Sequence, residues 1–140
     1  MISTMEKGKR ILAIEDEIDI LEILEYILID SGYDVLASQT GDNIFEKVEE
    51  FEPDLILLDI MIFNRDGREI CKALKADERT KDIPVIMVSA HPDVVNTIEK
   101  VGANDFVSKP FDINKLLQKI EHQLGDESMS TFFSAVVQKD

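Results

Sequence analysis

The 140-residue chain is short of positive charge and of cysteine. It has 15 lysines and arginines against 29 aspartates and glutamates, which gives a formal net charge of −14 at pH 7. A surface of that sign repels phosphate backbones, so we expect no direct binding to nucleic acid. The single cysteine cannot form an internal disulfide, which is typical of a protein from a reducing cytoplasm.

Long apolar segments are also missing. The longest hydrophobic stretch, Leu55 to Phe63, is interrupted by Asp59 and is too short to span a bilayer. The amino-terminal sequence MISTMEKGKR contains no apolar run that could act as a signal peptide. We therefore expect a cytoplasmic protein that does not bind membranes. Its hydrophobic fraction of 44% is sufficient for a buried core at this length.

Short apolar runs alternate along the chain with segments of helical periodicity. The five predicted strands span Arg10–Ile14, Asp34–Ser38, Asp54–Leu58, Pro84–Ser89 and Asp105–Val107. The first, third and fourth are almost wholly apolar, as expected for strands that are covered on both faces. The alternation predicts an α/β, doubly wound, flavodoxin-like fold with five helices and a five-stranded parallel sheet in the order 2-1-3-4-5.

Ligands in such sheets bind at the carboxyl ends of the strands, where strands 1 and 3 are neighbours. Glu15, Asp16 and Glu17 follow strand 1, and Asp59 follows strand 3. Crowded carboxylates repel one another, and Mg²⁺ with oxygen ligands would remove that penalty. The simpler alternative is that these acids only cap the first helix and end a strand. That alternative suits Glu17, but it does not suit Asp59, which lies within an apolar stretch.

A hydroxyl and an ammonium group reach the same edge of the predicted sheet. Ser89 ends the fourth strand, and Lys109 follows the fifth. Together with the carboxylates they are typical of phosphoryl transfer. Asp59 would be the nucleophile, Lys109 would neutralise the transferring oxygens, and Ser89 would donate a hydrogen bond.

Four short sequences closely resemble the pattern of response-regulator receiver domains of the chemotaxis type: Glu15-Asp16, Asp59, Ser89-Ala90 and Lys109-Pro110-Phe111. Receiver domains are the phospho-accepting half of two-component signalling. The resemblance implies that Asp59 is phosphorylated by a histidine kinase or a phosphotransfer protein in a Mg²⁺-dependent reaction. It also implies a signalling switch that catalyses only its own phosphorylation and dephosphorylation and is not an enzyme for an outside substrate.

The resemblance implies a role for each of the acidic residues. Mg²⁺ would be bound by Asp16, Asp59 and the backbone carbonyl of Met61. Glu15 would act mainly through a bound water.

The same resemblance implies how the switch works. Ser89 and Lys109 would contact the phosphoryl group, and Phe106 would then turn inward. Lys109-Pro110 would be a cis peptide. The surface formed by the fourth predicted helix, the fifth strand and the fifth helix would change for a downstream protein partner, and it could also form a homodimer.

Three positions near Asp59 depart from the family pattern or would modulate the chemistry. Phe63 stands where proline is usual, so the loop loses a fixed φ. Side chains at Met61 and His91 can influence how water reaches the acyl phosphate, and the imidazole could orient that water. The alternative for His91 is an ordinary solvated loop histidine.

The ends of the chain lie outside the resemblance. We expect residues 1–8 to be an extension, 9–125 to be the receiver domain, and 126–140 to be a tail. The tail reads as a linker followed by Phe132, Phe133, Val136 and Val137 at helical spacing. It would pack against its own domain, a second copy or a partner, or else be a remnant of a domain boundary.

Three other functions remain open from the residues. A Mg²⁺-dependent aspartyl-phosphate phosphohydrolase would use the same chemistry, but it usually carries a second Asp two residues after the nucleophile, where this chain has Met61. A flavodoxin-like cofactor binder would need a phosphate-binding loop after strand 1, where acids stand instead. The third is a scaffold of the receiver fold that is never phosphorylated.

Overall fold

The apolar runs of the sequence become the strands of a parallel sheet in a computed structural model, which describes residues 8–62, 65–90 and 100–125. The strands are β1 (Arg10–Ile14), β2 (Asp34–Ser38), β3 (Leu55–Asp59), β4 (Met61–Ile62), β5 (Arg65–Asp66), β6 (Val85–Ser89) and β7 (Asp105–Ser108). The helices are α1 (Ile18–Asp30), α2 (Ile44–Phe51), α3 (Gly67–Ala76) and α4 (Ile113–Leu124).

The order of strands in the main sheet is β2-β1-β3-β6-β7, and all neighbours run parallel. This confirms the predicted order 2-1-3-4-5, because β4 and β5 form a separate antiparallel hairpin that the sequence did not indicate. Ile14 lies opposite Ser38 of β2, and Asp59 lies opposite Val88 of β6. The carboxyl ends of β1, β3 and β6 therefore meet at one edge.

Several predicted features fall on residues that the structure does not describe. They are Phe63, His91, residues 1–7, the tail 126–140, and Val94, Val95 and Ile98 of the fourth predicted helix. Lys100 and Val101, where that helix would end, are helical.

Two apolar clusters cover the two faces of the sheet. One joins β-strand residues to α2 and α3 through Val48, Ile70 and Leu74. The other joins them to α1 and α4 through Leu24 and Leu116. Every residue of β3 is buried. A strand that is apolar on both faces can only be central, which puts the acceptor candidate Asp59 at the middle of the edge.

Cys71 lies inside the cluster beside α3, as its place in the helical stripe predicts. Its side chain is fully buried, and burial raises the pKa of the thiol to about 11. Such a thiol is protonated at neutral pH and is a poor nucleophile, so Cys71 is a small core residue.

Gly67, the first residue of α3, lies directly against the backbone at the end of β3. A Cβ built on Gly67 would overlap the carbonyl oxygen of Asp59, and the Gly67 N–H donates to the Ile60 carbonyl at 2.6 Å. The absence of a side chain therefore lets α3 begin beside Asp59. Backbone atoms cannot move aside as the end of a side chain can.

We expect Gly67→Ala to lower the free energy of unfolding by about 1–3 kcal/mol, because overpacking here displaces backbone. Urea denaturation measures this change. Gly41→Ala is the control, since its added methyl would meet only the end of the Ile70 side chain. Equal stabilities of the two variants would contradict the close approach of α3 to β3.

Candidate functional site

Four strand ends bring the predicted chemical groups to the carboxyl edge of the sheet. Glu15 follows β1, Asp59 ends β3, Ser89 ends β6, and Lys109 follows β7. The side chains of the first three are almost fully buried, at 1%, 4% and 2% exposed. Polar groups buried to this degree at a strand end are costly unless they are paired, and the next contacts pair them.

Lys109 joins the two buried carboxylates. Its Nζ lies 2.6 Å from Oε1 of Glu15 and 3.2 Å from Oδ2 of Asp59. The Lys109 N–H donates to the Ser89 carbonyl at 2.9 Å, which ties the loop after β7 to the end of β6. The Lys109–Pro110 peptide bond is cis, as the resemblance implies. The structure thus assembles the predicted acceptor, lysine and serine in one place.

Burial controls the ionisation of this cluster. Loss of solvent raises the pKa of Glu15 to about 7, and nearby Asp59 adds to the rise, although hydrogen bonds from Lys109 and the Glu17 N–H oppose it. Burial lowers the pKa of Lys109, but contacts with Glu15 and Asp59 outweigh burial and leave that pKa raised. The lysine therefore stays cationic between two carboxylates, of which Glu15 is easily protonated.

Three acidic side chains after β1 form a group with the spacing of metal ligands. Carboxylate oxygens of Glu15, Asp16 and Glu17 all lie within 4.8 Å of one another. Glu17 is exposed, as expected, but its side chain makes no capping hydrogen bond to α1. Its N–H instead donates to Oε2 of Glu15 at 3.0 Å. The capping alternative therefore does not explain these acids.

The same group fits a hard divalent cation. Its donors are carboxylate oxygens, which Mg²⁺ prefers. Oε1 of Glu15 is buried, and the Lys109 ammonium lies 2.6 Å from it. Asp16 is half-buried, and its backbone carbonyl accepts a hydrogen bond from Nε2 of Gln39 at 3.2 Å. Glu17, which the sequence argument left outside the site, belongs to this acidic group.

The β4–β5 hairpin contacts the Asp59 carboxylate on the oxygen that does not face Lys109. The Met61 N–H donates to Oδ1 of Asp59 at 3.3 Å, while Oδ2 faces Lys109. Met61 pairs with Asp66 across the hairpin, and the Asp66 side chain caps α3 by accepting from the Arg68 N–H at 2.9 Å. The loop after Asp59 is therefore held by α3.

Phe106, the predicted switch residue, is half-buried in β7 opposite Met87. It packs against the apolar cluster beside α2 and α3. Its carbonyl accepts a hydrogen bond from Nζ of Lys119 at 2.5 Å, and Lys119 also pairs with Asp105 at 3.2 Å. Sequence reasoning did not identify Lys119, because an exposed lysine in a helix gives no pattern.

A family model matches most of this chain. The model for the response regulator receiver domain matches residues 11–121, which contain the whole carboxylate and lysine cluster. The chain belongs to the response regulator receiver domain family. As a receiver domain it is a phospho-accepting signalling switch.

Solved structures of other receiver domains have the same fold. A putative response regulator from Chloroflexus aurantiacus is 27% identical with a TM-score of 0.79, and the match covers 85% of this chain and 99% of that one. The chemotaxis protein CheY4 from Vibrio cholerae is 26% identical with a TM-score of 0.76, covering 82% and 98%.

A third similar structure holds a metal ion. It is the receiver domain of a sensor histidine kinase from Pseudomonas aeruginosa, with a magnesium ion coordinated in its active-site cleft. It is 26% identical to this chain with a TM-score of 0.77, and the match covers 84% of this chain and 98% of that one.

Within residues 8–62, 65–90 and 100–125, no helix is both long and apolar enough to cross a bilayer.

The raised pKa of Glu15 predicts a pH-dependent stability of the metal-free receiver domain. An unfolded glutamate ionises near pH 4.5, whereas folded Glu15 holds its proton to about pH 7. The folded state therefore binds more protons across this window, and stability falls as pH rises through it. We expect a loss of about 1–3 kcal/mol between pH 4.5 and pH 7.5 in urea titrations with a chelator.

Glu15→Gln provides the control for that titration, since it removes the ionisation and keeps the shape. The difference in stability between wild type and variant should change across the window. A difference that is constant from pH 4.5 to pH 7.5 would contradict the raised pKa.

Proposed function

We propose that Asp59 is the phosphoacceptor, and that its donor is the phosphohistidine of a histidine kinase or of a phosphotransfer protein. The observation that carries this proposal is the contact of buried Asp59 with Lys109, whose Nζ lies 3.2 Å from Oδ2. A nucleophilic carboxylate beside a cation at a sheet edge suits the transfer of a charged phosphoryl group.

The chemistry requires one exchange of bonds. A carboxylate oxygen of Asp59 attacks phosphorus, the phosphorus–nitrogen bond of the donor breaks, and the leaving imidazole takes a proton from solvent. The ammonium of Lys109 neutralises a transferring oxygen, and the hydroxyl of Ser89 donates a hydrogen bond to another. Mg²⁺, bound by Asp16, Asp59 and the Met61 carbonyl with Glu15 through a water, would neutralise the remaining charge.

Phosphorylation would then rearrange the charges around Lys109. The new group carries a charge of about −1.5 to −2 at pH 7. It competes with Glu15 for the ammonium, which now lies 2.6 Å from Oε1 of that residue. The movement of Ser89 and Lys109 would pass to Phe106, which pairs with Met87 two positions before the Ser89–Ser108 pair in the sheet register. The surface of β7 and α4 would thereby change for a downstream protein partner.

The other functions have less support. Met61 stands where a phosphohydrolase usually carries its second acid, and its side chain is 56% exposed. A scaffold that is never phosphorylated has no need of a lysine placed between two buried carboxylates.

Intact mass spectrometry tests the proposal directly. The full chain is incubated with Mg²⁺ and either a small acyl phosphate or a phosphorylated histidine phosphotransfer domain. We expect one added phosphoryl group, lost on treatment with hydroxylamine, and no adduct when the metal is chelated. Failure of the wild type to gain mass with both donors would overturn the proposal.

A further inference from the structure

The outer face of α1 carries large apolar side chains that nothing in the described residues covers. Ile23, Tyr26 and Ile29 are 56%, 71% and 53% exposed. They follow one another at intervals of three residues, so they form one stripe along the helix, opposite its buried leucines. Single exposed apolar residues are ordinary, but a stripe of three on one helix marks a contact surface.

The tail of the chain has a sequence that suits such a surface. Residues 126–140 lie outside the described part of the structure, so only their sequence enters here. Phe132, Phe133, Val136 and Val137 recur at the spacing of one helix face, and residues 128–138 include no charged side chain. In a chain with 31% charged residues, such a segment is suited to an apolar contact.

The fold brings the start of the tail to the end of α1. Leu28 of α1 and Ile120 of α4 belong to the same apolar cluster, so both helices cover the same face of the sheet. Each helix follows a strand at the carboxyl edge and runs back to the amino edge, where both end. Gly125 ends α4 with a φ of 71°. The tail therefore leaves the domain on the side where α1 ends.

The length of the segment before Phe132 is compatible with a contact between the tail and α1. Phe132 is seven positions after Gly125, and seven extended steps of the chain span about 25 Å. The 13 residues of α1 make a helix roughly 20 Å long. The segment that leads to the two phenylalanines is therefore at least as long as the helix that carries the stripe.

Charge and position both favour the tail as the segment that covers the stripe on α1. Asp19 and Glu22 line a shallow depression with Ile23 and Tyr26, and would repel an acidic segment. Residues 128–138 of the tail carry no charged side chain and meet no such repulsion. A second apolar groove, formed by residues that include Val48 and Ile83, lies with the cluster on the opposite face of the sheet. The tail would have to cross the amino edge to reach it.

We propose that the tail packs Phe132, Phe133, Val136 and Val137 against the Ile23, Tyr26 and Ile29 stripe of α1 in the same molecule. The contact covers the apolar stripe and anchors the chain end to the first helix. It does not depend on phosphorylation of Asp59.

Limited digestion of the full chain with chymotrypsin tests the contact, since cleavage after Phe132 or Phe133 requires the tail to leave α1. We expect Ile23→Ser to speed this cleavage roughly tenfold, because it removes most of one buried side chain from the contact. Ile113→Ser is the matched control, an isoleucine 47% exposed at the start of α4, and it should leave the rate within about twofold. Equal rates in the two variants would overturn the proposal.

A disulfide cross-link is the second measurement, and it does not depend on the stability of a serine variant. The full chain with Tyr26→Cys and Phe133→Cys is oxidised at low concentration; Cys71 is buried and does not compete. A bond within one chain supports the proposal. A disulfide-linked dimer would mean that the stripe contacts a second copy of the chain. The absence of any bond would mean that the stripe serves a different protein. Either result overturns the proposal.

Discussion

Asp59→Asn abolishes phosphorylation of this receiver domain, if Asp59 is the acceptor. The amide is nearly the same size as the carboxylate, so the fold is retained, but the amide oxygen is a far weaker nucleophile toward phosphorus. We expect the phosphoryl adduct seen by intact mass to fall at least a hundredfold, to the level of the reaction without donor. The substitution also removes the negative charge that pairs with Lys109, which leaves the lysine paired with Glu15 alone.

Asp82→Asn is the matched control for this result. Asp82 is exposed and precedes β6, at the opposite edge of the sheet from the acceptor. Its variant should be phosphorylated as fast as the wild type. An adduct that survives in Asp59→Asn and disappears from another carboxylate would move the acceptor to that residue.

Lys109→Met has the largest expected effect on stability. The substitution keeps the aliphatic stem and removes the only cation that pairs with buried Glu15 and Asp59 within the described residues. Breaking a buried pair leaves uncompensated charge and costs about 3–5 kcal/mol. We expect a loss of about 3 kcal/mol in urea at pH 8, and a smaller loss at pH 5, where Glu15 is protonated.

Two comparisons make the Lys109 result specific. Lys81→Met removes a surface pair with Glu78, at 3.0 Å and largely exposed, and should cost less than about 1 kcal/mol. Adding Glu15→Gln to Lys109→Met removes one of the two stranded charges and should recover part of the loss. If Lys109→Met were no less stable than Lys81→Met, the buried pairing described above would be wrong.

The elements of the fold were largely predictable. β1 and β2 have the predicted bounds, and the other three sheet strands differ by one residue at one or both ends. A wholly apolar strand such as Leu55–Leu58 can only lie in the middle of a covered sheet, and this fixed its place. The β4–β5 hairpin was not predicted, because two-residue strands carry no alternation and depend on how α3 packs.

The residues of the site were predictable to a similar degree. Asp59, Ser89 and Lys109 each follow or end an apolar strand, so parallel topology brings them to one edge. Glu17 and Lys119 were not predicted to take part in these contacts. Neither has a distinctive sequence setting, yet one lies in the acidic group and the other holds the carbonyl of Phe106.

The sequence by itself determined the fold class, the edge of the sheet where the site lies and the residues that end there. Hydrophobic periodicity is a local property, and it is enough to order strands and helices. Only the tertiary structure decided that Lys109 pairs with both Glu15 and Asp59, that Gly67 lies against the acceptor backbone, and that the pKa of Glu15 rises. Lys109 and Asp59 are 50 positions apart, and their separation of 3.2 Å depends on strand register and on the solvent that packing excludes.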